Sequence, residues 1–110
     1  MKLTLPPPPS VNGMYRNVRG VGRVKSTGYK RWIDAATAHM GYRDAITGPV
    51  RICIAVPTNN RRDLDNYAKP VIDFLVKRGV IESDRCKTVR EIHMRWHDEQ
   101  DVHLSVVAVI

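Results

Sequence analysis

Apolar residues recur along this chain with two spacings, and each spacing predicts an element. Leu3 and Leu5 bracket one polar residue and begin a short strand, which Pro6 to Pro9 stop. Consecutive prolines carry no N–H for a ladder and hold the chain extended. From Thr27 to about Asp44 the apolar positions Tyr29, Trp32, Ile33, Ala36 and Met40 fall at i, i+3, i+4, i+7 and i+11. That is the buried stripe of a helix, with Ser26 or Thr27 placed to cap it and Trp32 as a core anchor. Gly48-Pro49 breaks the chain. Val50, Ile52, Ile54 and Val56 then alternate with Arg51, Cys53 and Ala55, as in a strand with one buried face.

A second helix is predicted over about 64–78, with Leu64, Ala68, Val71, Ile72 and Leu75 as its stripe and Arg78-Gly79 as its end. Pro70 either lies near the first turn, where a missing N–H costs little, or kinks the helix. Asp73 and Lys77 form a favourable i, i+4 pair. Ile92, Met94 and Trp96 alternate with Glu91, His93 and Arg95. A polar turn leads on to Val102, Leu104, Val106, Ala108 and Ile110, so the last two strands are expected to form an antiparallel hairpin. The order β-α-β-α-β-β implies an α+β fold, a small mixed sheet with two main helices. The strand face carrying Val107 and Val109 is either a subunit interface or covered by a helix.

Length and charge narrow the class. A chain of 110 residues fits one domain, 1–110, with a single modest core. No apolar run approaches the roughly 18 residues of a membrane span, and prolines cut off any secretory segment, so a cytoplasmic protein is expected. The formal charge is +7, and residues 1–33 carry seven basic side chains before Asp34, the first acid. Such a segment attracts a polyanion by counterion release. Ser10 to Lys25 mixes Gly13, Gly20 and Gly22 with Arg16, Arg19, Arg23 and Lys25, which reads as a mobile DNA-contacting arm or hairpin. Cys53 falls in an apolar run and is expected in the core, and Cys86 in a loop. His39, His93, His97 and His103 show no zinc-type spacing with them, so no zinc is expected.

The acids suggest the chemistry. Asp63 and Asp65 stand two residues apart, behind Arg61 and Arg62 and at the start of the second helix; Asp84 follows that helix. Three carboxylates in a basic chain suit Mg²⁺, which prefers oxygen ligands and keeps several waters. Lys69, four residues past Asp65, can neutralise charge that develops on a phosphate. On spacing alone, Asp63 as an N-cap and Asp65–Lys69 as a surface ion pair explain the pattern nearly as well. A calcium EF-hand is excluded, since Tyr67 and Ala68 occupy the positions that need an oxygen ligand and a glycine. No P-loop or Gly-x-Gly-x-x-Gly is present. A phosphatase-type aspartate is disfavoured by the polar Asn59-Asn60-Arg61-Arg62, and a sugar-nucleotide transferase by the chain's length.

The segment Arg62-Asp63-Leu64-Asp65-Asn66-Tyr67-Ala68-Lys69, with Asp73, Gly79 and Asp84, resembles the core of the RusA family of Holliday-junction resolvases. Leu5-Pro6, Pro8-Pro9-Ser10, Asn12 and Tyr15-Arg16 resemble that family's opening block, and the likeness spans roughly residues 3 to 110. It implies a RusA-like fold and a small Mg²⁺-dependent homodimer, often prophage-encoded, that resolves four-way DNA junctions in recombination and repair by symmetric paired nicks. Mn²⁺ is a substitute metal. Carried over by position, Asp63, Asp65 and Asp84 match the metal-binding carboxylates and Lys69 the essential lysine. Ser83 departs from the pattern where an acid precedes the last aspartate, and Glu82 is placed to substitute. The candidate DNA contacts are Asn12, Tyr15, Arg16, Arg19, Arg23, Lys25, Arg61, Arg62 and Asn66.

One geometric question stays open. A helix over 64–78 would be roughly 22 Å long, whereas residues 79–84 span at most about 20 Å. Asp84 therefore reaches Asp63 within one chain only if the loop runs straight back or the helix starts late; otherwise a twofold partner supplies it. The alternatives to a resolvase are a non-catalytic branched-DNA-binding protein and a metal nuclease acting on flaps or other branched DNA.

Overall fold

The computed structural model describes residues 1–109; Ile110, the last position of the predicted strand stripe, lies outside the described residues. The elements run β1 (Lys2–Leu5), a 3₁₀ turn (Val11–Gly13), β2 (Tyr15–Val18), β3 (Gly22–Lys25), α1 (Thr27–Met40), β4 (Val50–Pro57), a second 3₁₀ turn (Leu64–Tyr67), α2 (Ala68–Lys77), β5 (Val89–His97) and β6 (Val102–Ala108). The α+β fold with a mixed sheet stands as predicted. No helix among the described residues is long and apolar enough to cross a membrane.

The main sheet has the order β1-β6-β4-β5. This corrects the expected hairpin: β5 and β6 do not pair. β4 lies between them, parallel to β5 and antiparallel to β6, with Ile54 opposite Met94 on one side and Leu104 on the other. The reason is burial. The alternating stripe of β4 is the most apolar in the chain, and the central position is where Val50, Ile52, Ile54 and Val56 all reach 0–1% exposure. Residues 98–101 therefore cross the end of β4.

Both helices pack on the face formed by Leu3, Leu5, Ile52, Ile54, Val56, Leu104 and Val106. On the opposite face Thr4, Arg51, His93, Arg95 and His103 are exposed and Val107 is 39% exposed. A groove of about 860 Å³ runs along this face past Cys53, His93 and His103. Cys53 is thus half-buried on the open face rather than in the core, because its strand position points away from the helices. Cys86 is exposed as expected.

The arm is a hairpin. β2 pairs antiparallel with β3, and Val21 N–H closes a turn on the Val18 carbonyl, with Gly20 at φ 78. Only glycine takes that position of a type II turn without strain. Its base is fastened to the core, which its composition did not suggest. Met14 is fully buried, and the Ser26 hydroxyl donates to the Gly13 carbonyl at 2.6 Å while accepting the Tyr29 N–H as the α1 cap. Aromatic contacts then link hairpin to helices. Tyr15 meets Tyr29 edge-on at 5.7 Å, Tyr29 stacks on Trp32, and Trp32 meets Phe74 at 5.3 Å. Trp32 Nε1 also donates to the Pro6 carbonyl, as suits a core anchor. α1 stops at Met40, four residues before the expected end, where the stripe runs out and Gly41 takes φ 60.

Candidate active site

β4, the Leu64–Tyr67 turn, α2 and β5 form a strand-helix-strand unit, because β4 and β5 are parallel and α2 connects them. In such units the carboxyl end of the strand and the start of the helix together form a ligand-facing rim. The Arg61–Lys69 segment lies there. Thr58, just past β4, donates its N–H to the His97 carbonyl at 2.8 Å, and Tyr67 packs edge-on against Trp96 at 5.9 Å. Both contacts pin the segment to the carboxyl end of β5.

The predicted single helix over 64–78 is in fact two pieces. Asp63 precedes the 3₁₀ turn with extended backbone, and Asn66 N–H and Ala68 N–H donate to the Asp63 and Asp65 carbonyls. The α-helix begins only at Ala68. Pro70, its third residue, then falls in the first turn, where its missing N–H costs little. The N-cap alternative for Asp63 fails in one respect: its side chain makes no capping hydrogen bond. The Asp65–Lys69 ion pair is also absent. Lys69 Nζ turns instead to Asp73 at 3.2 Å, so Asp73 pairs backward with Lys69 and not forward with Lys77.

The carboxylates of Asp63, Asp65 and Asp84 are left without internal partners. Among the described residues, hydrogen bonds and ion pairs engage Asp44, Asp73, Glu82, Glu91, Asp98 and Glu99. None engages the carboxylate of Asp63, Asp65 or Asp84, nor that of Asp34 or Asp101, although the chain carries 18 Lys and Arg. Asp63 and Asp65 are exposed, all-oxygen donors on one short turn, and that donor set fits Mg²⁺.

Asp84 does not join them within the chain. Val50 N–H, at the start of β4, donates to the Thr88 carbonyl, and Gly48 N–H to Glu82 Oε1. The 82–88 loop therefore sits at the amino end of β4, while Asp63 follows its carboxyl end. Eight strand residues lie between, about 23 Å at roughly 3.3 Å per residue. Glu82, placed by sequence beside the last aspartate, spends one oxygen on Gly48; Ser83 builds the local turn by donating to Thr88 and accepting Arg85 N–H.

The candidate DNA contacts divide. Arg16, Arg19 and Arg23 are exposed on the hairpin, with the Arg23 guanidinium 4.2 Å from the centre of the Tyr15 ring. Asn12, Tyr15, Arg16 and Arg23 line one small pocket. Lys25 stands beside Lys77, whose closeness holds the Lys25 ammonium below its ordinary pKa, with burial adding to the effect. Lys77 is a basic group the sequence had assigned to Asp73; only the packing of the hairpin on α2 puts it here. Arg61 is exposed. Arg62 is used structurally, donating to the Pro8 carbonyl at 3.2 Å and lying over the Tyr67 ring. Asn66 is half-buried, with its backbone closing the 3₁₀ turn.

Three of the metal-capable side chains meet where the sequence spacing did not suggest it. Among the described residues, one group of three metal-capable side chains converges, and it is His97, Glu99 and His103. Their i, i+2, i+6 spacing matches no zinc motif; it becomes a cluster only because the chain crosses β4 between them.

A family model described as endodeoxyribonuclease RusA matches residues 5–107. The crossover junction endodeoxyribonuclease RusA of Escherichia coli strain K12 is 40% identical over 83 residues, covering 70% of this chain and 68% of the relative. The protein of that name from Shigella sonnei strain Ss046 is 39% identical over the same shares. The one from Enterobacteria phage 82 is 37% identical, again over 70% and 68%.

Proposed function

This chain belongs to the RusA endodeoxyribonuclease family, and from that membership we propose that it is a Holliday-junction resolvase that cuts DNA by Mg²⁺-dependent phosphodiester hydrolysis in recombination and repair. The observation that carries the reading is the place of the Arg61–Lys69 segment. It lies inside the matched region and holds two unpartnered carboxylates on the rim where β4 gives way to α2. Asp63 and Asp65 would hold the cation. When bound, Mg²⁺ supplies Lewis acidity and charge neutralisation at the scissile phosphate. Lys69 leaves Asp73 to balance the charge that builds on the phosphate oxygens as water attacks. Arg16, Arg23, Lys25 and Lys77 grip the flanking backbone by charge and fix the strand's position without reading its sequence.

We further propose that each site is completed by a second copy, which supplies Asp84. The separation of Asp63 and Asp84 along β4 supports this, and so does the free edge of β5. Among the described residues that nine-residue strand pairs only with β4, and its Ile92 is 44% exposed. A twofold axis laying β5 antiparallel to its copy turns one chain's amino end onto the other's carboxyl end, bringing Asp84 toward the partner rim. Such a dimer presents two sites to the near-twofold symmetry of a four-way junction, which makes paired nicks its natural outcome. Action on DNA supports a cytoplasmic location.

The test is cleavage of a fixed synthetic four-way junction beside a linear duplex of the same sequence, with Mg²⁺, with Mn²⁺ and with EDTA. Symmetric nicks on the junction alone, abolished by EDTA, are expected. Tight junction binding without cutting in either metal would make the protein a branched-DNA binder. Faster cutting of flaps than of junctions would make it a general branched-DNA nuclease.

A further inference from the structure

Residues 98–101 carry the chain from β5 across the end of β4 into β6, and this crossing gathers three metal-capable side chains. His97 is nearly enclosed, its side chain 9% exposed, and its Nε2 lies 2.7 Å from the Asp101 carbonyl. A carbonyl can only accept, so Nε2 carries a proton, and in the neutral ring this leaves the Nδ1 lone pair for a metal. Nδ1 faces Glu99 Oε2 at 3.5 Å. His103 Nε2 reaches the same oxygen at 2.8 Å, and all three ligand atoms lie within 4.8 Å of one another.

We propose that His97, Glu99 and His103 form a binding site for a divalent transition ion of the zinc class, separate from the oxygen site at Asp63 and Asp65. Three features support it. Neighbouring ligand atoms around tetrahedral zinc stand about 3.3 Å apart, given bonds of about 2.0–2.2 Å. The His97–Glu99 edge, at 3.5 Å, is close to that length, and exposed Glu99 and His103 are free to rotate to adjust the other two. Second, a backbone carbonyl on the far nitrogen of His97 fixes tautomer and ring direction, as outer partners of metal-ligating histidines do. Third, two imidazoles and one carboxylate favour zinc, cobalt or nickel over magnesium, which seeks oxygen. Three protein ligands leave a fourth position for water.

The place gives the site a role. Thr58 donates both its N–H and its hydroxyl to the His97 carbonyl, at 2.8 and 3.0 Å, and its hydroxyl also reaches Asp98 Oδ1. Thr58 precedes Asp63 by five residues. A bound ion would clamp the crossing loop to the strand end that delivers the candidate catalytic segment. It acts as a staple, with no part in the chemistry.

The experiment is Co²⁺ titration of the full chain after chelator treatment and dialysis, read by visible d–d absorption, with Zn²⁺ competition and thermal melting alongside. One equivalent per chain is expected, displaced by Zn²⁺, with a raised Tm. Glu99→Gln and His103→Ala change exposed positions, so their folds survive; each weakens binding by at least ~10-fold and abolishes the Tm rise. The Asp63→Asn/Asp65→Asn double variant binds Co²⁺ as the parent does. Unchanged binding in His103→Ala overturns the proposal. So does uptake that vanishes with Asp63 and Asp65, or a near-ultraviolet thiolate band removed by Cys86→Ser. Absence of saturable uptake also overturns it and leaves Glu99 as an ion-pair partner of the two histidines.

Discussion

Asp63 and Asp84 stand at opposite ends of β4, one past its carboxyl end and the other beside its amino end, with the length of an eight-residue strand between them. If they serve one metal site, they come from two chains. Asp65→Asn and Asp84→Asn chains should each be inactive alone, by at least ~10²-fold, yet bind junctions. Refolded together, about half of randomly formed dimers carry one of each chain, and each of these keeps one intact site. Nicked junctions without paired resolution are the expected product on a denaturing gel. No cutting in the mixture would return Asp84 to its own chain and sink the shared site.

Lys69 and Asp73 offer a graded pair. Lys69 is half-exposed and Asp73 is 19% exposed, and their contact at 3.2 Å is an i, i+4 pair worth about 0.3–0.5 kcal/mol. So weak a pair can give way to a phosphate. Lys69→Ala should lower the single-turnover cutting rate by about 10²-fold or more with junction affinity nearly kept. Asp73→Asn removes only the resting partner of Lys69, and its effect should stay below about 10-fold. An equal loss in both variants would mean that the pair, not the lysine, is what matters.

The hairpin sets the salt dependence. Arg23 and Lys25 are free of acidic partners among the described residues, and Lys25 is crowded by Lys77. A phosphate relieves that crowding. Replacing both with alanine should reduce the slope of log affinity against log salt by about 1–2, at roughly 0.9 per lost phosphate contact. The loss should be the same for junctions and linear duplex. A loss confined to junctions would give the hairpin a part in reading branch shape.

Tyr29 predicts the alkaline limit. Burial, with lesser effects of nearby Tyr15 and Asp73, pushes its pKa up to about 12 from 10.0. The folded state holds the proton more tightly than the unfolded chain. The stability this gives is fully present below pH 10 and is lost as pH rises through about 12. Other groups titrate in that window, so the measure is a difference: urea midpoints of wild type minus Tyr29→Phe, from pH 8 to 12. That difference should shift against the wild type above pH 10. A flat difference would show that the hydroxyl ionises freely in the fold.

The sequence by itself determined whatever depends on local spacing. The α1 stripe from Tyr29 to Met40, the alternation of β4 and the stop at Pro6–Pro9 are near-neighbour patterns, and steric and burial rules read them directly. The cluster Asp63, Asp65 and Lys69 was legible for the same reason, lying within seven residues. Tertiary structure decided what depends on which segments meet. The apolarity of β4 drew it between β5 and β6, so the hairpin expected there did not form. That one insertion sent residues 98–101 over the strand end and made a cluster of His97, Glu99 and His103. It also fixed β4 and β5 as parallel, which carries Asp84 away from Asp63. Likewise Lys77 faces Lys25 instead of Asp73 because Met14 and the aromatic row seat the hairpin on the helices. Contacts between residues far apart in sequence follow from which face gains most by being covered, and that is a property of the whole core.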